Sequence, residues 1–297
     1  MRAHRTGIAL AFVTALVSGL SIYLNSHAVR HFGNATVYTT AKNAVAGVLL
    51  LALALFPVGS GPASSVRPRG WLALSVVAVI GGSVPFVLFF EGLARAQATQ
   101  AAFIQKTLVI WVALLAVPLL RERLRAPHLL AVALLVGGQV WLAGHAGTVV
   151  FGSGEAMILA ATLLWSVEVV YVKRLLDWLP ARTLAAGRMT LGTLLLVAWL
   201  AVTGRAHELT AFDAAQWRWV VLTGLLLTAY VATWYAALAR AQAVDVTAVL
   251  VFGAVVTALL AGASDGTPVN VAATALITAG VALVAALALR SRPQAAT

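Results

Sequence analysis

Read for hydrophobicity alone, the chain is a succession of apolar runs of nearly equal length, separated by short polar breaks. A hydrocarbon core takes about 20 residues of helix. With that ruler the runs fall at 7–27, 35–57, 71–93, 99–120, 127–145, 152–173, 181–203, 216–239, 245–263 and 268–290. The breaks at 33–34, 59–68, 121–127, 147–154, 180, 204–213 and 264–268 carry the Gly, Pro, Asn and Asp expected between helices. The pattern predicts an all-α integral membrane protein with ten transmembrane helices.

A repeated hexapeptide divides these ten runs. Leu-Ala-Arg-Ala-Gln-Ala stands at 93–98 and again at 238–243, 145 positions later. Aromatic pairs precede both copies, Phe89-Phe90 and Trp234-Tyr235. Val-Ala-Leu-Leu-Ala (112–116) follows one and Thr-Ala-Leu-Leu-Ala (257–261) the other. Arg and Gln are scarce here, so the match reads as an internal duplication, with repeats at 1–147 and 148–297. Ser18-Gly19-Leu20 aligns with Trp165-Ser166-Val167, Lys42 with Arg188, and Gly138 with Gly280. A repeat of five spans inserts its second copy upside down, so the two five-helix repeats should be inverted about an axis in the membrane plane. The two hexapeptides then lie on opposite faces.

Composition agrees. The chain is 62% hydrophobic and 10% charged, against about a quarter charged in soluble domains, and no stretch is long enough for a separate soluble domain. The net charge of +11 does not form a nucleic-acid surface, because the basic residues flank the spans. Thirteen Lys and Arg lie on the flanks shared with the N-terminus and four on the others, so both termini should be cytoplasmic, in an inner membrane. The basic start and the apolar run to about residue 26 read as a retained first helix rather than a cleaved signal. With no Cys, disulfides, thiolate nucleophiles and Cys metal sites are ruled out.

Several of these segments resemble the EamA family of the drug/metabolite transporter superfamily. The similarity rests on two five-span repeats, Lys173-Arg174-Leu175-Leu176 ending span six, Gly187-Arg188-Met189 in span seven, and Ala-Leu-Leu-Ala ahead of Glu122-Arg123-Leu124 at the end of span four. It departs at Lys106-Thr107, where many members place a Pro, and at Asp265, where a second Glu-x-Leu is missing. The resemblance implies a secondary transporter, often an exporter of amino acids or other metabolites. It also implies a central cavity bounded by spans one to four and six to nine, with spans five and ten as scaffold.

Charged residues inside apolar spans are costly and point to function. Lys42 and Lys106 lie at similar depth with no acid nearby except Glu91, which has Arg95 one turn on. Two ammonium groups facing a cavity suit a carboxylate or phosphate; the alternative is that one snorkels to the interface. Trp111, Trp165 and Tyr230 sit near mid-span as cavity walls or packing, and Gln105 and Asn25 are hydrogen-bonding candidates. Together with the lysines these form the expected substrate set. Glu168 and Arg188 are close enough in depth to pair, as a structural lock or as a relay with Glu168 taking a proton. Gly81-Gly82-Ser83-Val84-Pro85 breaks span three, either to line a site or to bend the helix. Glu168, Arg188 and Pro85 are therefore the expected coupling or gating residues. Gly137, Gly138 and Gly280 read as tight-packing positions.

The expected partners are a small-molecule substrate and membrane lipid, and a homodimer is allowed. No phosphate-cradling Gly-x-x-x-x-Gly-Lys is present, so ATP is not a direct energy source; no metal and no cofactor are expected. The competing class, an integral-membrane enzyme, would need converging His, Asp or Glu, and the six His lie in or near loops without His-Glu-x-x-His. The favoured function is alternating-access transport, proton-coupled or facilitative, of small metabolites or amino-acid-like solutes, with export as the direction. A facilitator for an anionic metabolite is the alternative within that class.

Overall fold

The computed structural model describes residues 2–56, 68–122, 126–144, 151–266 and 268–290, and among them all regular structure is helical. The first repeat contains α1 (Arg2–Ala28), α2 (Ala35–Leu55), α3 (Pro68–Val77), a π-helical turn (Ala78–Ser83), α4 (Val84–Leu93), α5 (Ala98–Lys106), α6 (Leu108–Leu120) and α7 (Ala126–Gly144). The second contains α8 (Ser153–Leu175), α9 (Ala181–Val202), α10 (Ala214–Leu238), α11 (Ala243–Leu250), α12 (Phe252–Asp265) and α13 (Val271–Arg290). Three spans are interrupted: α3 and α4 form span three, α5 and α6 span four, α11 and α12 span nine. Among the described residues nine helices are long and apolar enough to cross a membrane, and Ala126–Trp141 is a shorter apolar helix.

The contacts obey the inverted duplication. Span one packs on span eight as span six packs on span three. Span one also meets span nine as span six meets span four, while two against seven and five against ten are their own symmetry mates. Each copy of the hexapeptide seats its Arg stem on a glycine of the opposite repeat. A Cβ on Gly154 would come within 3.0 Å of Arg95 Cβ, and one on Gly7 within 2.9 Å of Arg240 Cβ. Spans four and nine break at matching places, Thr107 and Val251; no Pro or Gly adjoins Thr107, while Gly253 stands two residues after Val251.

Small residues set the closest crossings. A Cβ on Gly82 would meet the Arg188 carbonyl oxygen at 2.1 Å, and one on Gly192 the Gly82 oxygen at 2.5 Å, so spans three and seven touch through backbone. Gly138 and Gly280 do the same between α7 and α13, against Ile277 and Leu135. Gly137 is a correction to the sequence reading: nothing lies within 4 Å of where its Cβ would be, because it faces away from α13. Exposed Leu16, Val48, Leu51, Leu114, Leu194 and Leu225 form the lipid-facing surface.

Candidate functional site

The charges expected in the spans are inside the protein and not in lipid. Lys42, Lys106, Glu168 and Arg188 are each at most 3% exposed. Three of them, Lys42, Glu168 and Arg188, line one cavity between the repeats, together with Asn25, Gln105, Phe86, Phe90, Trp165 and Tyr230. The cavity has a volume of about 660 Å³, counted with its open mouth.

Lys42 rises from α2 between span one and span three. Its Nζ donates to Asn25 Oδ1 at 3.0 Å and lies 3.2 Å from the centroid of the Phe90 ring. The Asn25 oxygen also accepts from Tyr38 Oη at 2.6 Å, and its amide nitrogen is held by Ser21. An aromatic face and a neutral amide hold the ammonium in place while leaving its charge uncancelled. Lys106 sits just behind the wall. It donates to Ser18 Oγ at 2.7 Å and Gln105 Oε1 at 2.6 Å, two residues that do face the cavity. Among the described residues neither ammonium has a carboxylate within salt-bridge distance.

Glu168 and Arg188, in contrast, pair with each other. Arg188 Nη2 donates to Glu168 Oε2 at 3.1 Å, Nε lies 2.9 Å from Oε1 as an ion-pair contact without hydrogen-bond geometry, and Tyr235 Oη donates to Oε1 at 2.5 Å. A charge-assisted bond of this kind is stronger than a neutral one. Together these contacts tie span six to seven and eight, and a Cβ on Gly81 would strike the Glu168 carboxyl at 2.3 Å. Arg188 Nη1 remains buried without a hydrogen-bond partner. Phe86 lies between the cations, 5.9 Å from Lys42 Nζ and 5.4 Å from the Arg188 guanidinium carbon. What the sequence presents as two separate groups at different depths is therefore one cationic cavity.

Span three passes this site as a π-turn. Pro85 has no N–H to give, and the wider turn leaves carbonyls to be satisfied by side chains. Trp165 Nε1 donates to Gly81 O at 3.1 Å, and Ser83 Oγ to Ala78 O at 2.9 Å. Trp165 thus both lines the cavity and joins span six to the break. Trp111 is placed elsewhere: it is half-buried on α6, with its indole N–H on Thr107 Oγ1 at 3.2 Å. Glu91 pairs with Arg95 at 3.0 Å, near the end of α4.

A second constellation, which the sequence does not announce, closes the face that carries the chain termini. Glu122, at the end of span four, accepts from the backbone N–H of Ala243 and Val244 at 2.7 and 3.1 Å, capping α11 from the other repeat. Lys173, at the end of span six, donates to Leu238 O and Ala241 O at 2.6 Å each, capping α10. A carboxylate on a helix start and an ammonium on a helix end both suit the helix dipoles. They hold the second hexapeptide from two sides. On the opposite face no such clamp is found among the described residues: Arg95, just past α4, turns to Glu91 and to Met157.

An inverted pair of five-helix repeats around a buried polar cavity is the build of a multi-pass membrane transporter. The chain belongs to the EamA-like transporter family, whose pattern matches residues 5–144 and 152–289, one match per repeat. An uncharacterized transporter of Archaeoglobus fulgidus is 29% identical over 189 residues, a match spanning 61% of this chain and 64% of that protein. A protein of known crystal structure superposes with a TM-score of 0.74 at 20% identity, over 96% of this chain and 99% of the other, which shows a shared fold.

Proposed function

We propose that this transporter carries small metabolites with an anionic group, amino-acid-like solutes among them, by alternating access of the two repeats around the cavity. The observation that carries the reading is the pair of buried lysines with neutral partners, Lys42 on Asn25 and Lys106 on Ser18 and Gln105. A buried charge without a counter-charge is costly unless something supplies one, and a carboxylate or phosphate in the cavity would do so. Arg188 Nη1 offers a further unpaired donor. Phe86, Phe90, Trp165 and Tyr230 would cover the apolar remainder of the solute. Trp111, away from the lining, drops out of this binding set.

Glu168, Arg188 and Pro85 are assigned to gating. Their ion pair and π-turn join spans three, six, seven and eight, so parting the repeats strains them together. The thirteen-to-four bias of basic flanks supports an inner-membrane orientation with both termini cytoplasmic. Export is the direction this reading adopts from the family. A facilitator for an anionic metabolite rests on the same lysines and differs only in lacking a coupled ion.

The test is ligand-induced stabilisation of the purified protein. A ligand at 100 times its Kd stabilises by about 2.7 kcal/mol, a readable rise in melting temperature. Monocarboxylates, phosphate esters, zwitterionic amino acids and amines are compared. Stabilisation by anionic members supports the assignment, and stabilisation by amines alone removes it.

A further inference from the structure

Asp245 is an acid that the cavity does not use. It lies in the first turn of α11, 3% exposed, directly after the two residues whose amides Glu122 takes. An Asp at this third helical position ordinarily folds back on the residue preceding the helix. Here Glu122 reaches the α11 start from the other repeat, and Asp245 Oδ1 is enclosed without a hydrogen bond. Among the described residues the basic atom within salt-bridge reach is His128 Nε2 of α7, at 4.0 Å, on a residue itself 7% exposed. A buried carboxylate with an unsatisfied oxygen beside an imidazole is poorly served as an anion and well placed to take a proton.

The charged surroundings are mixed. Glu122 approaches from the end of α6. Lys173 approaches from α8 with its hydrogen bonds spent on carbonyls, and Asp177 lies one turn beyond it. Arg240, in the turn itself, points outward to Ala236 O. Helices α1 and α13, also packed on α11, carry His4 and Arg5 in the first turn of one and Arg290 in the last turn of the other. Among the described residues, two carboxylates therefore share the start of one helix with one half-buried ammonium.

We propose that Asp245, paired with His128, is the proton-binding carboxylate of this transporter, and that its protonation adjusts how firmly the clamp on the turn between α10 and α11 is held. The proposal rests on the transporter reading but not on the anion assignment. An O–H bond forms at Asp245 Oδ1 as an O–H bond of hydronium at the terminal face breaks, leaving water, or as an N–H bond of the His128 imidazolium breaks, leaving neutral imidazole. Glu168 is less suited to the role, because its carboxylate is already filled by Arg188 and Tyr235.

The probe is the proton alone. Proteoliposomes on a solid-supported membrane receive a step from about pH 8 to about pH 6, which spans the range of a perturbed carboxylate and an imidazole, with no solute added. The wild-type chain should give a transient charge displacement, and Asp245→Asn should lose most of it. His128→Gln should keep the displacement but shift its midpoint, a response that also serves if Asp245→Asn does not fold. Glu208→Gln, in the 3₁₀ turn Ala206–Thr210 away from the clamp, should behave as wild type. A wild-type chain with no displacement, an Asp245→Asn chain with the full signal, or His128→Gln with an unmoved midpoint overturns the proposal. Loss in Glu168→Gln with retention in Asp245→Asn places the proton in the cavity instead. None of these outcomes touches the anion reading, which is measured with solute and without a pH step.

Discussion

Lys42 Nζ and Asn25 Oδ1 meet at 3.0 Å, a contact between the second and first spans that gives a buried ammonium a neutral partner. Replacing Lys42 by Met keeps the length of the stem and removes the charge. A hydrogen bond to a charged group contributes about 1.5–3 kcal/mol, which is about a 10- to 100-fold change in affinity. The apparent KM for an anionic solute should rise by that factor, and Lys42→Arg should recover part of it. Isotopic solute uptake at several concentrations reads this directly.

The Glu168–Arg188 ion pair makes a prediction of stability. Removing one partner of a buried pair costs about 3–5 kcal/mol, while replacing both by apolar residues is often nearly neutral. Arg188→Met and Glu168→Leu should each lower the melting temperature sharply, and the double variant should melt closer to wild type. A double variant that melts below both single variants would show that the pair is not the unit that matters.

The break in span three should be sensitive to a single methyl group. Gly82→Ala would force Cβ to within 2.1 Å of the Arg188 carbonyl oxygen, so the variant should fold poorly or lose the close crossing of spans three and seven. Gly137→Ala meets nothing and should be neutral or slightly stabilising, since Ala is favoured over Gly in a helix by about 1 kcal/mol. Trp165→Phe leaves the Gly81 carbonyl without the indole donor and should cost about 1–3 kcal/mol. Thermal unfolding of the three variants side by side checks the ordering.

Glu122 and Lys173 predict a gate on the terminal face. Glu122→Ala removes a carboxylate from the α11 amides, at about 1.5–3 kcal/mol for charge-assisted bonds, and should raise the open fraction on that face by about tenfold or more. The chain has no Cys, so a single Val169→Cys in the cavity wall can be labelled without background. A membrane-impermeant thiol reagent added from the terminal face should react correspondingly faster in the Glu122→Ala background. Equal rates would mean that the clamp does not gate.

The sequence shows those parts of this molecule whose cost is local. A charge in an apolar run stands out wherever it occurs, so Lys42, Lys106, Glu168 and Arg188 were readable, and the repeated hexapeptide carried the inversion. Contacts between the repeats are a different matter. Asp245 and His128 are 117 positions apart and sit at span ends, where polar residues are ordinary. Glu122 looks interfacial until the structure brings the α11 amides to it. The break at Thr107 has no Pro or Gly to mark it, and at Val251 only Gly253, two residues on, hints at one. Depth counted along separate helices also kept apart the lysine and the ion pair that Phe86 brings into one cavity.

Net flux of one carboxylate and of its neutral amide into proteoliposomes, each carried by the wild-type chain and by Lys42→Met, tests the cationic cavity most directly. The account predicts that the wild type moves the carboxylate well ahead of the amide and that Lys42→Met erases most of the difference. Equal transport of both by the wild type, or an unchanged preference in Lys42→Met, would contradict it.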